Sequence, residues 1–164
     1  MNNAGRQSWP LFRQSGMDIR IVHQSGPSGF EMLRDEFASC GLAGEVTPFI
    51  ADMPAAFAAA SLVVCRSGAG AVSELAAAGR ASILTPFPFA AGDHQARNAE
   101  VLERCGAARL IPDADLTGER LFSAVREVAR DRVALGRMGG AARCLAHPGA
   151  AARAADVLEE EAHG

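Results

Sequence analysis

Short apolar runs alternate with longer stretches of helical periodicity along the chain, and this rhythm carries most of what can be read about its architecture. Ile19-Arg20-Ile21-Val22-His23 has strand spacing and runs into the turn Gly26-Pro27-Ser28-Gly29. Ser28, with Glu31 three residues on, has the form of a capping box opening a helix through about Ser39, which Gly41 then stops. Val46 to Ile50 reads as a short strand. Asp52 is placed to cap a small helix from Met53 to about Ala60, and Leu62-Val63-Val64-Cys65 is a continuous apolar strand. The small-residue loop Arg66-Ser67-Gly68-Ala69-Gly70-Ala71 precedes a helix from Val72 to Ala78, ended by Gly79.

The strand Ser82 to Thr85 then meets the loop Pro86-Phe87-Pro88-Phe89. Asp93 is placed to cap a helix ending near Cys105, with Gly106 just beyond it. Ala108 to Ile111 is a further strand, Leu116 to about Arg137 is one helix, and Gly149 to Glu161 is an alanine-rich terminal helix. Strands alternating with helices imply right-handed crossovers, hence a doubly wound, Rossmann-like α/β domain: one parallel sheet with helices on both faces. Ligands of such sheets bind beyond the carboxyl ends of the strands. The segments to inspect are therefore His23 to Gly26, Phe49-Ile50, Arg66 to Ala71, Pro86 to Gln95 and the residues after Ile111.

The loop after Cys65 is the most informative. It sets unpaired backbone N–H groups at a helix start beside glycines that let a ligand approach closely, an arrangement suited to phosphate or pyrophosphate. The same pattern is also that of a plain tight turn. Glu74 gains from the helix dipole in any protein, and equally suits a ribose diol near a phosphate loop. Arg66, at the end of a buried strand, needs an anionic partner, either a carboxylate or a phosphate. His94 and Gln95, at the start of a helix, have the donors and acceptors that sugar hydroxyls require. The chain contains no Ser/His/Asp triad, no paired glycosidase carboxylates and no HExxH motif.

Composition narrows these readings. The 164 residues are 49% hydrophobic and 21% charged with a formal net charge of -3, as for one globular domain with its own core, here residues 1–164. All sixteen basic residues are arginines spread along the chain, which excludes a clustered nucleic-acid surface. Cys40, Cys65, Cys105 and Cys144 lie far apart without zinc-ligand spacing, so they read as reduced thiols and no metal or organic cofactor is expected. No apolar run approaches the ~18 residues of a membrane span, and residues 1–7 lack a signal-peptide pattern, which predicts a cytoplasmic chain.

Four ordered segments together resemble a known family: Ile21-Val22-His23-Gln24-Ser25-Gly26; Val46-Thr47-Pro48-Phe49-Ile50-Ala51-Asp52-Met53; Val63 through Leu75; and Asp93-His94-Gln95-Ala96-Arg97-Asn98-Ala99. Over residues 18–160 the chain is similar to the C-terminal, donor-binding half of the lipid-II-forming glycosyltransferases, which are GT-B enzymes of glycosyltransferase family 28. The resemblance implies binding of UDP-N-acetylglucosamine, whose sugar is passed to undecaprenyl-pyrophosphoryl-N-acetylmuramoyl-pentapeptide in peptidoglycan synthesis. It implies Ser25 on the diphosphate and Phe49 and Ile50 at uracil, Phe49 by packing and Ile50 through its backbone amide and carbonyl. Gly68, Ala69, Gly70 and Ala71 would hold the pyrophosphate through main-chain N–H groups assisted by Arg66, with Glu74 on the ribose and His94 and Gln95 on the N-acetylglucosamine. The family often has Leu-Thr where this chain has Gly70-Ala71, so a threonine hydroxyl contact is lost there.

The resemblance also implies what lies elsewhere. In these two-domain enzymes the N-terminal domain supplies the acceptor-lipid site, the proposed general base and the membrane-facing patch. None of these is found in the 164 residues, and the first strand of the donor domain is expected to be missing too. The expectation is a donor domain that needs no metal and is inactive alone, with the full enzyme at the cytoplasmic face of the inner membrane. A donor-binding subunit of a two-chain lipid-linked N-acetylglucosamine transferase, docked to a separate membrane subunit, is an alternative. So is a fragment of a GT-B UDP-N-acetylglucosamine 2-epimerase, which would need catalytic carboxylates and a second domain.

Overall fold

In the computed structural model, which describes residues 1–149, helices and parallel strands alternate as the sequence pattern predicts. The helix α1 (Asn2–Ser15) leads through a left-handed Gly16 to β1 (Arg20–Gln24), followed by α2 (Phe30–Cys40) and β2 (Ala43–Thr47). Then come α3 (Met53–Ala59), β3 (Leu62–Cys65), α4 (Ala69–Ala78) and β4 (Ala81–Leu84). The chain continues with α5 (His94–Arg104), β5 (Ala108–Leu110), α6 (Gly118–Ala129) and α7 (Arg132–Cys144). The alanine-rich tail helix expected to start at Gly149 lies, beyond that residue, outside the described residues.

The single sheet expected from the sequence is instead two sheets. β1 pairs with β2, and β3, β4 and β5 pair in that order, every pair parallel. One apolar cluster joins the pieces: Ile21 of β1 and Leu62 and Val64 of β3 pack with Phe12 of α1 and Leu121 and Val125 of α6. A second cluster, on the other side of β3–β5, sets Leu75 of α4, Leu102 of α5 and Ala142 of α7 against Leu84. β4, paired on both edges and covered on both faces, is buried throughout. β1 is half covered: Ile21 and His23 meet α1, whereas Val22 on the opposite face is 46% exposed.

Several local expectations shift for identifiable reasons. α2 starts from Gly29 at φ 80° with no side-chain cap, so Ser28 does not close the expected capping box. Asp52 caps α3 as read, its Oδ1 accepting from the Ala55 amide at 2.9 Å. Residues 116–137, expected as one helix, are two, because Asp131 caps a new one by accepting from the amides of Val133 and Ala134 at 2.9 and 3.0 Å. Asp93 adopts φ 55° and caps nothing with its side chain. α4 starts at Ala69, three residues before the expected Val72, so Gly70 and Ala71 belong to its first turn and Glu74 lies beyond that turn.

Candidate functional site

Each loop at a strand's carboxyl end is held by its own polar contacts. After β1, the Ser25 amide donates to the Thr47 carbonyl at 2.9 Å, and the Ser25 hydroxyl donates to Gly26 and Thr47 carbonyls at 2.8 and 3.3 Å. Ser25 is buried and its hydroxyl joins the ends of β1 and β2. The loop after β2 places Phe49 71% exposed. The neighbouring Ile50 amide is already used, donating to the Gln24 side-chain oxygen at 2.8 Å. Gln24 lies inside the first resembling segment, but sequence reasoning did not single it out. An amide side chain that meets a main-chain N–H twenty-six residues away leaves no local signature.

The second group gathers on the β3–β5 sheet. Here α4 begins at Gly68, whose φ/ψ of -62°/153° suits any residue, and no side chain caps the helix. Neither Gly68 nor Gly70 has positive φ. A methyl added at Gly68 would meet nothing closer than the Gln95 side-chain nitrogen at 3.9 Å, and one at Gly70 nothing closer than the Glu74 carboxylate at 3.9 Å. Backbone conformation therefore does not demand either glycine. The first turn of α4 has no side-chain cap, and the Glu74 and Gln95 side chains lie near its glycines; an uncapped helix start of this kind suits an anion.

Around this opening, the Ser67 hydroxyl, fully buried, donates to the Gln95 carbonyl at 2.7 Å, and the Asn98 side chain donates to the Ser67 carbonyl at 3.0 Å. The Gln95 side-chain oxygen accepts from the Phe87 amide at 3.0 Å, which leaves its NH2 group and one oxygen lone pair. His94, exposed at the start of α5, lies beside Gly92. Arg66 does not point at an open phosphate position with an unbalanced charge. Its Nη1 contacts the Asp113 carboxylate at 2.5 Å and the carbonyls of Thr85 and Pro86 at 3.3 and 2.9 Å, and its guanidinium lies over the Phe87 ring. Asp113 was not legible as a partner, since it is paired only by the neighbouring of β3, β4 and β5 in the sheet.

Burial, with the Glu74 charge second, pushes the Cys65 thiol up to about 12, which keeps it protonated and unreactive. Among the described residues no group of three or more His, Cys, Asp and Glu side chains could hold a metal ion. No helix among them is long and apolar enough to cross a membrane. The structure thus brings Gly68 to Ala71, Glu74, Gln95 and Arg66 together on one sheet. It places Ser25, Phe49 and Ile50 together at the ends of β1 and β2.

Parallel strands alternating with helices in this way make a Rossmann-like α/β domain, a class whose ligands bind beyond the carboxyl ends of the strands. Residues 1–158 match the glycosyltransferase family 28 C-terminal domain, and the chain belongs to that family. It is 66% identical over 162 residues to the UDP-N-acetylglucosamine--N-acetylmuramyl-(pentapeptide) pyrophosphoryl-undecaprenol N-acetylglucosamine transferase of Solibacter usitatus, covering 99% of this chain and 44% of that protein. The Aromatoleum aromaticum protein of the same name is 48% identical over 144 residues, covering 88% of this chain and 40% of its own length. The crystal structure of MurG from Acinetobacter baumannii superposes with a TM-score of 0.85 at 33% identity, over 96% of this chain and 46% of that one. The chain therefore spans less than half the length of the relatives it matches.

Proposed function

We propose that this chain is the UDP-N-acetylglucosamine-binding domain of a transferase that passes N-acetylglucosamine to undecaprenyl-pyrophosphoryl-N-acetylmuramoyl-pentapeptide at the cytoplasmic face of the membrane. The observation that carries the reading is the α4 N-terminus, whose glycines leave open space that the fold itself does not require. The names of the relatives support the identity of donor and acceptor. In this reading Gly68 to Ala71 receive the pyrophosphate, Glu74 the ribose hydroxyls, Phe49 and Ile50 the uracil, and His94 and Gln95 the sugar. Gln24 must release the Ile50 amide if that amide is to meet the base. Ser25 acts chiefly by shaping the β1 loop, its hydroxyl being turned inward. As the acceptor hydroxyl, its proton taken by a base in the acceptor domain, attacks the anomeric carbon, the bond to the departing UDP oxygen breaks, and the α4 dipole stabilises the charge that develops there.

Residues 1–164 act as one domain here, and the acceptor site belongs to the part of the relatives' length outside the match. Titration calorimetry tests the donor half directly. UDP and UDP-N-acetylglucosamine bind the chain, and Glu74→Ala weakens both by about tenfold, the loss of one or two charge-assisted hydrogen bonds. Absence of heat with either nucleotide, or unchanged affinity in Glu74→Ala, overturns the proposal.

A further inference from the structure

The loop 86–95 is tied into a closed polar ring. Arg66 Nη1 contacts the Thr85 and Pro86 carbonyls, the next amide in that loop, Phe87, donates to the Gln95 side chain, and the Gln95 carbonyl accepts from Ser67, the residue after Arg66. Asp113 anchors the ring from the end of β5, its carboxylate 2.5 Å from Arg66 Nη1. Both side chains are about two-thirds covered, at 30% and 33% exposure, so their pairing is less screened than a surface ion pair. Sheet hydrogen bonds hold β3, β4 and β5 in register but do not hold the loops that leave them. One planar guanidinium spans the three strand ends, with the Phe87 ring against its face.

We infer that Arg66 is a positioning residue that acts through Asp113 to fix loop 86–95 beside the α4 N-terminus, rather than a ligand of the donor phosphates. Its charge is already balanced by a carboxylate, so it offers a phosphate little net attraction. What it holds is the loop bearing His94 and Gln95. The inference rests on the donor-binding reading for its functional consequence. Its structural part can be read without any ligand.

The experiment compares the wild-type chain with Asp113→Asn, Arg66→Ala and the double variant. Hydrogen exchange of the amides in 86–95 is measured by mass spectrometry, and binding of uridine, UDP and UDP-N-acetylglucosamine by calorimetry. Either single change speeds exchange in 86–95 while leaving α1 and β1 unchanged. Each weakens UDP-N-acetylglucosamine by about tenfold and UDP by less than about threefold, and the double variant is no worse than either, as for two residues acting as one unit. Asp113→Asn keeps the side chain's size while removing its charge and one acceptor oxygen, so it carries the test if Arg66→Ala fails to fold. The inference is overturned if Asp113→Asn leaves exchange and affinity unchanged, or if Arg66→Ala weakens UDP far more than uridine, which is the signature of a phosphate ligand. If the wild-type chain binds none of the three ligands, the donor reading fails, while the exchange data still decide whether the ring holds the loop.

Discussion

Alanine at Gly68 and alanine at Gly70 are chemically the same change two residues apart, and the structure assigns them different consequences. For the fold, both are permitted. Gly68 sits at φ -62° and ψ 153°, and an added methyl finds its nearest neighbour at 3.9 Å. Gly→Ala at such a compatible position stabilises by ~0.4–1 kcal/mol, through the unfolded chain. Gly70 lies inside α4, where alanine gains ~1 kcal/mol of helix propensity.

For the ligand they differ. In the donor-binding reading proposed above, Gly68 borders the α4 amides that receive the pyrophosphate, so a methyl there would stand between them and that group. Displacing one charged-group hydrogen bond costs ~1.5–3 kcal/mol, a loss of about 10- to 100-fold in affinity. At Gly70 the resembling family often carries leucine, so a methyl is tolerated. Urea unfolding and UDP calorimetry on the same samples give both readings. The expected result is two variants at least as stable as the wild type, of which only Gly68→Ala loses UDP. Unchanged UDP affinity in Gly68→Ala would refute the placement of phosphate at this helix start. A large loss of stability in that variant would show instead that the glycine serves the turn.

Four further outcomes follow from the structure. Iodoacetamide at pH 8 modifies the exposed Cys105 and Cys144 but spares Cys65 until the chain unfolds. Because the Cys65 thiol is raised from 9.0 to about 12, the unfolded state releases its proton first, so stability falls as pH rises above 9; a flat urea midpoint from pH 9 to 11 would contradict this. His23 is lowered from 6.5, first by burial and then by the amino-terminal charge, so below pH 6.5 the unfolded state takes up the proton in preference and stability drops. Trp9, the only tryptophan, packs edge-on against His23 at 5.6 Å, so its fluorescence follows that transition, and His23→Gln should flatten the profile. Asp131→Ala removes the cap that starts α7 and costs ~1 kcal/mol, a melting shift of roughly 2–4 °C for this size, whereas Asp131→Asn should stay near wild type.

By itself the sequence determined what depends on near neighbours: the alternation of strands and helices, the bounds of β3, the Asp52 cap, and the left-handed glycines at 41, 79 and 106 that end or follow helices. These are set within a few residues by periodicity, capping chemistry and the freedom of glycine at positive φ. Motif spacing also identified the family, because four segments in order are far more specific than any one loop.

Only the tertiary structure decided which groups are already committed. Arg66 meets Asp113, and Ile50 gives its amide to Gln24, because particular strand ends are neighbours in the folded sheets. The division into a β1–β2 pair and a β3–β4–β5 sheet has the same origin, since hydrophobic patterning records that a strand is buried but not which strand lies beside it. A charge or a free amide reads alike in sequence whether it awaits a ligand or is bound within the protein. Only the distances between loops tell the two apart.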